Sequence, residues 1–319
     1  MDKYSFPVLA ETNLPLPLGY RGKVRDVYKL GSDSDFLLVV ATDRISAFDK
    51  VLRQKVPHKG TFLNQPSAYV FEKTTDIVPN HFVSIPDPNA MVVRKTEPLS
   101  VELVIRGYLG GSALREYKEG KRKFFVETLP DGLRDYEKLK NPIITPTTKA
   151  KIGHDQPIET MEDFIVAVGD KALAYELIEK GIALYYIGNE MARINGGGLF
   201  DTKAEFGKDK SHGKPRLLLI DEIFTHDSSR VIRLDEYMKA FELGKEPRFI
   251  DKEPVRKWLS DRGFRGEGPI PDLPEGLIRD TTDRGIEAAR LIMSDKFELP
   301  TEPPTNERIM RNLKDYNWL

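Results

Sequence analysis

Residues 201–230, DTKAEFGKDKSHGKPRLLLIDEIFTHDSSR, hold the densest set of groups able to do chemistry. Positions 201–207 alternate polar and apolar, which places Lys203 and Glu205 on one face of a strand. The basic stretch 208–216, broken by Gly213 and Pro215, predicts a turn. Leu217-Leu218-Leu219-Ile220 has the length of a buried strand and runs straight into Asp221 and Glu222. Thr225, His226, Asp227, Ser228, Ser229 and Arg230 follow at once. Two strands joined by that turn bring Glu205 and Asp221 side by side. Hard carboxylate oxygens at adjacent strand ends are what Mg²⁺ held through a nucleotide's phosphates requires. A surface hairpin with solvated charges reads equally well from this stretch alone.

Three other groups could serve a phosphate or a polar substrate. Gly22, Lys23 and Arg25 open a predicted hairpin over residues 20–41, and a glycine-led hairpin with cations can lie over a nucleotide's phosphates. An ordinary basic edge strand is the alternative. The compact Asp43, Arg44, Ser46 and Asp49 group follows a strand, where function gathers in mixed folds, although Ser46 or Asp49 could equally begin a helix. Arg106, Gly110, Gly111 and Ser112 stand just before a predicted helix, where free backbone N–H groups and the helix dipole favour an anion. A plain strand-to-helix turn remains the simpler account. Residues 145–155, with Thr147, Thr148, Lys149, His154 and Asp155, sit in a segment of little periodicity, and long irregular segments are usually functional or disordered.

The elements that must position these groups are legible from spacing. Strand-like runs fill 20–41 and 89–106, and residues 60–75 space Phe62, Leu63, Tyr69, Val70 and Phe71 as a helix. Residues 162–182 predict two helices broken near Gly169, with Gly181 as a C-cap. Further helices are expected at 251–262 and 282–295, and the proline-rich stretch 120–160 is expected to be irregular. The chain has 319 residues, with 49 basic against 50 acidic side chains, so net charge offers no attraction to nucleic acid or membrane. Cysteine is absent, which removes thiolate ligands and nucleophiles and suits the cytoplasm. The first twenty residues carry no signal or transit pattern, and no apolar run reaches the roughly 20 residues of a membrane helix. The expectation is a soluble cytoplasmic protein. Nothing in the sequence sets its oligomeric state, and a monomer is one state it allows.

Taken in order, several of these stretches resemble the SAICAR synthetase (phosphoribosylaminoimidazole-succinocarboxamide synthase) family. The resemblance rests on residues 22–28 (GKVRDVY), 42–49 (TDRISAFD), 101–108 with Gly111 and Ser112, 145–149 with His154 and Asp155, 203–207 (KAEFG), and 221–230. It implies an α+β fold of two domains. A small β-rich domain, residues 1–95, would cover ATP; a larger α+β domain, residues 96–319, would carry the metal and nucleotide sites, with a kinase-like or ATP-grasp-like cleft between them.

The resemblance also implies a reaction. ATP, L-aspartate and carboxyaminoimidazole ribotide would give SAICAR, ADP and phosphate through an acyl phosphate. Gly22, Lys23 and Arg25 would cover the ATP phosphates, and Glu205 and Asp221 would hold Mg²⁺ against them. Lys23, Lys149 and Lys203 would be catalytic. Asp43 and Ser46 would contact the imidazole nucleotide, and Arg106 and Ser112 its 5′-phosphate. Asp227, Ser228 and Arg230 would complete that pocket, and Lys149, His154 and Asp155 would close over aspartate or stabilise the transferring phosphoryl group. A kinase-like phosphotransferase is the rival enzyme reading, but the chain lacks His-Arg-Asp and Asp-Phe-Gly. A noncatalytic nucleotide-binding regulator is the rival outside enzymes; intact Lys23, Glu205 and Asp221 speak against it.

Overall fold

Residues 2–31, 35–149, 155–211 and 216–319 are described by the computed structural model. His154 and the end of the turn predicted at 208–216 lie outside them. β1 (Leu18–Arg21) precedes the expected hairpin, which forms as β2 (Arg25–Lys29) and β3 (Phe36–Ala41); β1 pairs with the other edge of β2, so Gly22 and Lys23 lie in the β1–β2 turn. Residues 44–55 fold back as a ribbon, β4 (Arg44–Ala47) and β5 (Lys50–Lys55), so neither Ser46 nor Asp49 starts a helix. Phe48 and Asp49 take positive φ in the ribbon's turn. The predicted helix follows as α1 (Lys59–Thr74), burying Phe62, Leu63, Val70 and Phe71. Deleting one such aromatic in a packed core costs about 3–5 kcal/mol, so this face anchors α1 firmly. β6 (Phe82–Asp87) and β7 (Ala90–Arg94) complete a five-stranded antiparallel sheet in the order β1-β2-β3-β7-β6.

A second sheet begins at β8 (Glu97–Tyr108), which turns into α2 (Gly111–Lys118). After the small ribbon β9 (Lys123–Phe124) and β10 (Glu127–Thr128) comes β11 (Lys138–Thr148), in the stretch expected to be irregular. Pro142 and Pro146 hide its strand character, and the sheet tolerates them because β11 is an edge strand. The helices α3 (Met161–Val168) and α4 (Lys171–Ile194) break at Gly169 as predicted. Gly181 is no cap: it lies inside α4, where an added Cβ would meet Leu103 at 3.0 Å. Its bareness lets the helix settle onto β8. β12 (Gly197–Asp209) is the centre of the sheet. It pairs with β8 on one side and, on the other, with β13 (Arg216–Ile220) at one end and β14 (Ser229–Arg233) at the other. The two sheets are stitched where Leu219 N donates to Pro79 O at 2.8 Å and His81 N donates to Leu219 O at 3.0 Å.

Four helices close the chain: α5 (Leu234–Glu242), α6 (Glu253–Ser260), α7 (Glu275–Met293) and α8 (Asn306–Asp315). α7 starts earlier than its apolar spacing at 282–295 suggested, because Pro274 sets its N-cap and Leu277 and Ile278 extend its packed face. Gly285 on α7 admits the Phe62 ring, which would lie 2.3 Å from an added Cβ. α8 returns to the first sheet. Its Ile309 and Leu313 join a core with Leu9, Leu14, Tyr28, Leu38 and Val40. Arg308, itself buried, pairs with buried Asp87 through two bonds of 2.7 and 2.9 Å. Among the described residues no helix is long and apolar enough to cross a membrane.

Candidate active site

β12 sets the site by its pleat. Asp201, Lys203 and Glu205 share one face, and the register places them opposite Arg106, Val104 and Glu102 of β8. The result is a floor of alternating charge. Lys203 Nζ lies 2.8 Å from Glu102 and 3.1 Å from Glu205. Lys149, at the end of β11, also pairs with Glu205. Burial works to discharge Lys203, but the Glu205 and Glu102 carboxylates outweigh it and hold its pKa above the ordinary lysine value. Burial likewise opposes the charge on Glu205, and Lys203 and Lys149 overcome it, keeping that carboxyl below its usual range.

The β12–β13 register puts Glu205 opposite Ile220, so Asp221 and Glu222 leave the sheet beside it. Asp221 adopts a left-handed φ of 64°, uncommon for a residue other than glycine. Arg25 reaches over from the first sheet, 2.7 Å from Glu222 and 3.5 Å from Asp221. Burial, with help from the Glu205 and Glu222 carboxylates and against Arg25, pushes the Asp221 carboxyl up to about 6. Its side chain stays 36% exposed to the cleft. This cavity, about 580 Å³, is walled by Gly22, Lys23, Arg25, Lys149, Glu205 and Asp221, with Ser46 and Asp155 also on its wall. Lys23 spans to Asp49 at 2.5 Å.

A second cavity of about 850 Å³ opens at the start of α2. Arg106 donates to Thr145 Oγ1 at 2.9 Å and Ser112 Oγ at 3.1 Å, and pairs with Asp201 at 3.3 Å. Arg230 takes the same Asp201 carboxylate and lies over the Phe200 and Phe249 rings, 4.9 Å from each centroid. Burial resists the charge on Asp201, and the two guanidinium groups more than offset it. One carboxylate between two arginines leaves a surplus positive charge. Gly111, at φ 62°, leaves the space that Arg230 fills, since a Cβ there would come within 2.9 Å of its Nη2.

The cavities meet at Phe48, Asp49, Lys203, Asp227, Lys252 and Arg256, which line both. Lys59, wholly buried at the first turn of α1, lies 2.7 Å from Asp227, and Lys252 lies 3.5 Å from the same oxygen. Lys252 and Lys59 hold Asp227 well below the ordinary carboxyl value against the pull of burial. Ser228 fixes the strand beneath: its carbonyl accepts from Lys203 N at 2.9 Å.

Most residues expected from sequence therefore converge on the two cavities, with corrections. Asp43 lines neither. It is fully buried and accepts backbone N–H bonds from Leu9 at 2.6 Å and Gly60 at 2.8 Å, so it ties the N-terminal arm to α1. Ser46, expected beside the imidazole nucleotide, lines the Glu205–Asp221 cavity instead, because the β4–β5 ribbon turns it that way. His154 lies outside the described residues. Sequence reading missed Asp201 and Glu102, although carrying the alternation one pleat back from Lys203, and along β8 from Arg106, finds both. Lys59, Lys252 and Arg256 had no such signal.

Among the described residues no cluster of three or more metal-ligating side chains stands alone. Of the seven acidic side chains on the smaller cavity's wall, Glu205 and Asp221 meet at the adjacent strand ends, and Asp221 is crowded by like charge. That donor set fits a divalent cation whose remaining ligands arrive with a phosphate chain.

The profile of the SAICAR synthetase family matches residues 18–269. The chain belongs to the SAICAR synthetase family. It is 44% identical over 319 residues to the phosphoribosylaminoimidazole-succinocarboxamide synthase of Azobacteroides pseudotrichonymphae, covering 98% of this chain and 94% of that one. The Legionella pneumophila (strain Lens) enzyme of the same name is 42% identical, with 98% of each chain covered. Among solved structures it resembles the SAICAR synthase of Saccharomyces cerevisiae complexed with SAICAR, with a TM-score of 0.77 and 30% identity, over 91% of this chain and all of that one. A type-2 SAICAR synthetase in complex with ADP shares the fold at a TM-score of 0.64 and 23% identity, over 88% and 99% of the two chains. The α+β fold and an ATP-dependent ligase activity in purine biosynthesis follow from membership, and the kinase-like alternative is not favoured.

Proposed function

We propose that the chain condenses L-aspartate with carboxyaminoimidazole ribotide, with ATP in the smaller cavity and the ribotide in the larger. The single observation that carries this reading is the meeting of two charged cavities at Lys203, Asp227, Lys252 and Arg256. Arg106, Arg230, Ser112 and the first turn of α2 take the ribotide's 5′-phosphate, whose charge matches the surplus there. The ribotide then lies along the β12 face with its carboxylate at the junction. The ATP phosphates lie under Gly22 and Lys23, beside Arg25 and Lys149. Glu205 and Asp221 would hold Mg²⁺, which would supply neutralisation of phosphate charge.

A carboxylate resists an amine because its charge and resonance disfavour attack. A ribotide carboxylate oxygen attacks the γ-phosphorus, the bond to the bridging oxygen breaks, and ADP leaves. The acyl phosphate so formed is attacked at its carbonyl carbon by the aspartate amine; phosphate departs and the nitrogen gives up a proton. Lys203, Lys252 and Arg256 neutralise charge where these bonds change, the main work of a protein in phosphoryl transfer. Asp155, on the wall of the smaller cavity, closes over aspartate. The cysteine-free chain suits work in the cytoplasm on these three small molecules. ADP release measured with ribotide, with and without aspartate, tests the reading. Sustained turnover needing both is expected; equal release on an unrelated hydroxyl acceptor would sink it.

A further inference from the structure

The turn between β1 and β2 is held from below in an unusual way. Its consecutive carbonyls are all engaged. Gly22 O accepts from Arg44 Nη2 at 3.1 Å and Lys23 O from Arg44 Nε at 3.1 Å. Val24 O accepts from both the backbone N and the hydroxyl of Thr42, each at 2.9 Å. Arg25 O closes the turn by accepting from Gly22 N at 2.7 Å. The Arg44 guanidinium also donates to Ala10 O at 2.8 Å and pairs with Asp26 at 2.7 Å. Arg44, Thr42 and Asp26 are all buried.

In a trans peptide the carbonyl and the N–H point to opposite sides. Drawing Gly22 O and Lys23 O down onto Arg44 therefore turns the N–H groups of Lys23 and Val24 up, toward the cavity that both residues line. Successive N–H groups presented by a turn form an anion-binding concavity. We infer that Arg44 and Thr42 are positioning residues that hold the Gly22–Val24 backbone as a cradle for the phosphate chain of the nucleotide. The inference rests on the proposed placement of ATP in the smaller cavity. Neither side chain touches the nucleotide; each acts through the backbone it anchors. Arginine is required because its planar fork spans two adjacent carbonyls, which a lysine ammonium does not reproduce.

Calorimetry with ADP and with adenosine tests this, beside Michaelis constants for the ribotide. The wild-type chain is expected to prefer ADP to adenosine. Arg44→Lys should weaken ADP about ten-fold while adenosine and ribotide change less than about two-fold, the scale of one or two lost donors. Thr42→Val keeps the bond from Thr42 N to Val24 O and removes only the hydroxyl, so it should weaken ADP about three-fold. Equal weakening of ADP and adenosine, or unchanged ADP binding in both variants, overturns the cradle. A wild-type chain that binds adenosine as well as ADP overturns instead the ATP placement beneath it. If Arg44→Lys melts at a much lower temperature, the Thr42→Val ratio of ADP to adenosine decides alone.

Discussion

The cavity under the Gly22 turn and the cavity at the start of α2 share six wall residues, yet differ in charge. Counting formal charges among the described residues, the first has seven acidic and six basic side chains on its wall. The second has seven basic and six acidic. An empty site with an acidic surplus repels a bare triphosphate but accepts one arriving with a divalent cation. A site with a basic surplus accepts a monophosphate directly. The way each side is built follows the same division. Arg106 and Arg230 are locked on Asp201, with Arg106 also held by Thr145 and Ser112, whereas Asp221 is strained, part exposed and pushed up to about 6. One cavity is prepared in advance; the other, on the function proposed above, is completed by a cation.

The sharpest way to break this contrast is Glu205→Gln or Asp221→Asn. Each should lower kcat by about 10²–10³ or more, the scale of losing a charge-stabilising group in a polar site, with ribotide affinity unchanged. Full activity of either variant at limiting Mg²⁺, by steady-state kinetics, contradicts the metal assignment. On the other side, Arg230→Met should raise KM for the ribotide about ten- to hundred-fold through lost charge-assisted bonds, leaving KM for ATP within about two-fold. If both constants move together, the cavities are not separable.

Acid offers a third handle. The Asp221 carboxyl ionises near pH 6 in the folded chain against an ordinary 3.8. ATP affinity should therefore fall as pH drops through about 6, and Asp221→Asn should remove that inflection in a titration with the metal–nucleotide complex. The linked stability has the opposite sense. Because the folded value is raised, its contribution to the empty protein is full below 3.8 and is lost as pH rises through about 6. Asp43, also pushed up to about 6 by burial, adds to the same slope and would leave its share in the Asp221 variant. The smallest effect on turnover belongs to Asp43→Asn. It should cost about 1–3 kcal/mol of stability in a denaturant melt, because an amide keeps only one acceptor oxygen for the Leu9 and Gly60 N–H groups, with kcat and both Michaelis constants nearly unchanged.

Much of this site was legible because strands announce their faces. The alternation through Lys203 and Glu205, and the apolar run ending at Asp221, put the carboxylates together by spacing alone. Asp43 misled for a physical reason: in sequence it belongs to a polar cluster, and only the Leu9 arm folding over it turns it into a buried tie. Lys252 and Arg256 were invisible for the converse reason. They begin a helix whose charges look like an ordinary solvated face, and only the bridge from Ile250 to Val231 of β14, just before that helix, brings them to the junction. β11 was lost because edge prolines erase the period that a strand otherwise shows.

The cover that α8 places over the first sheet has a consequence for the growing chain. Arg308 meets Asp87 across 221 residues of sequence. At the usual pace of synthesis, about 5–20 residues per second, the strands of that sheet leave the ribosome roughly ten to forty seconds before their lid exists. Leu38, Val40 and Val92 lack Ile309 and Leu313 for that whole interval. The arrival of α8 thus decides when the first sheet stops being a target for chaperones and for neighbouring nascent chains.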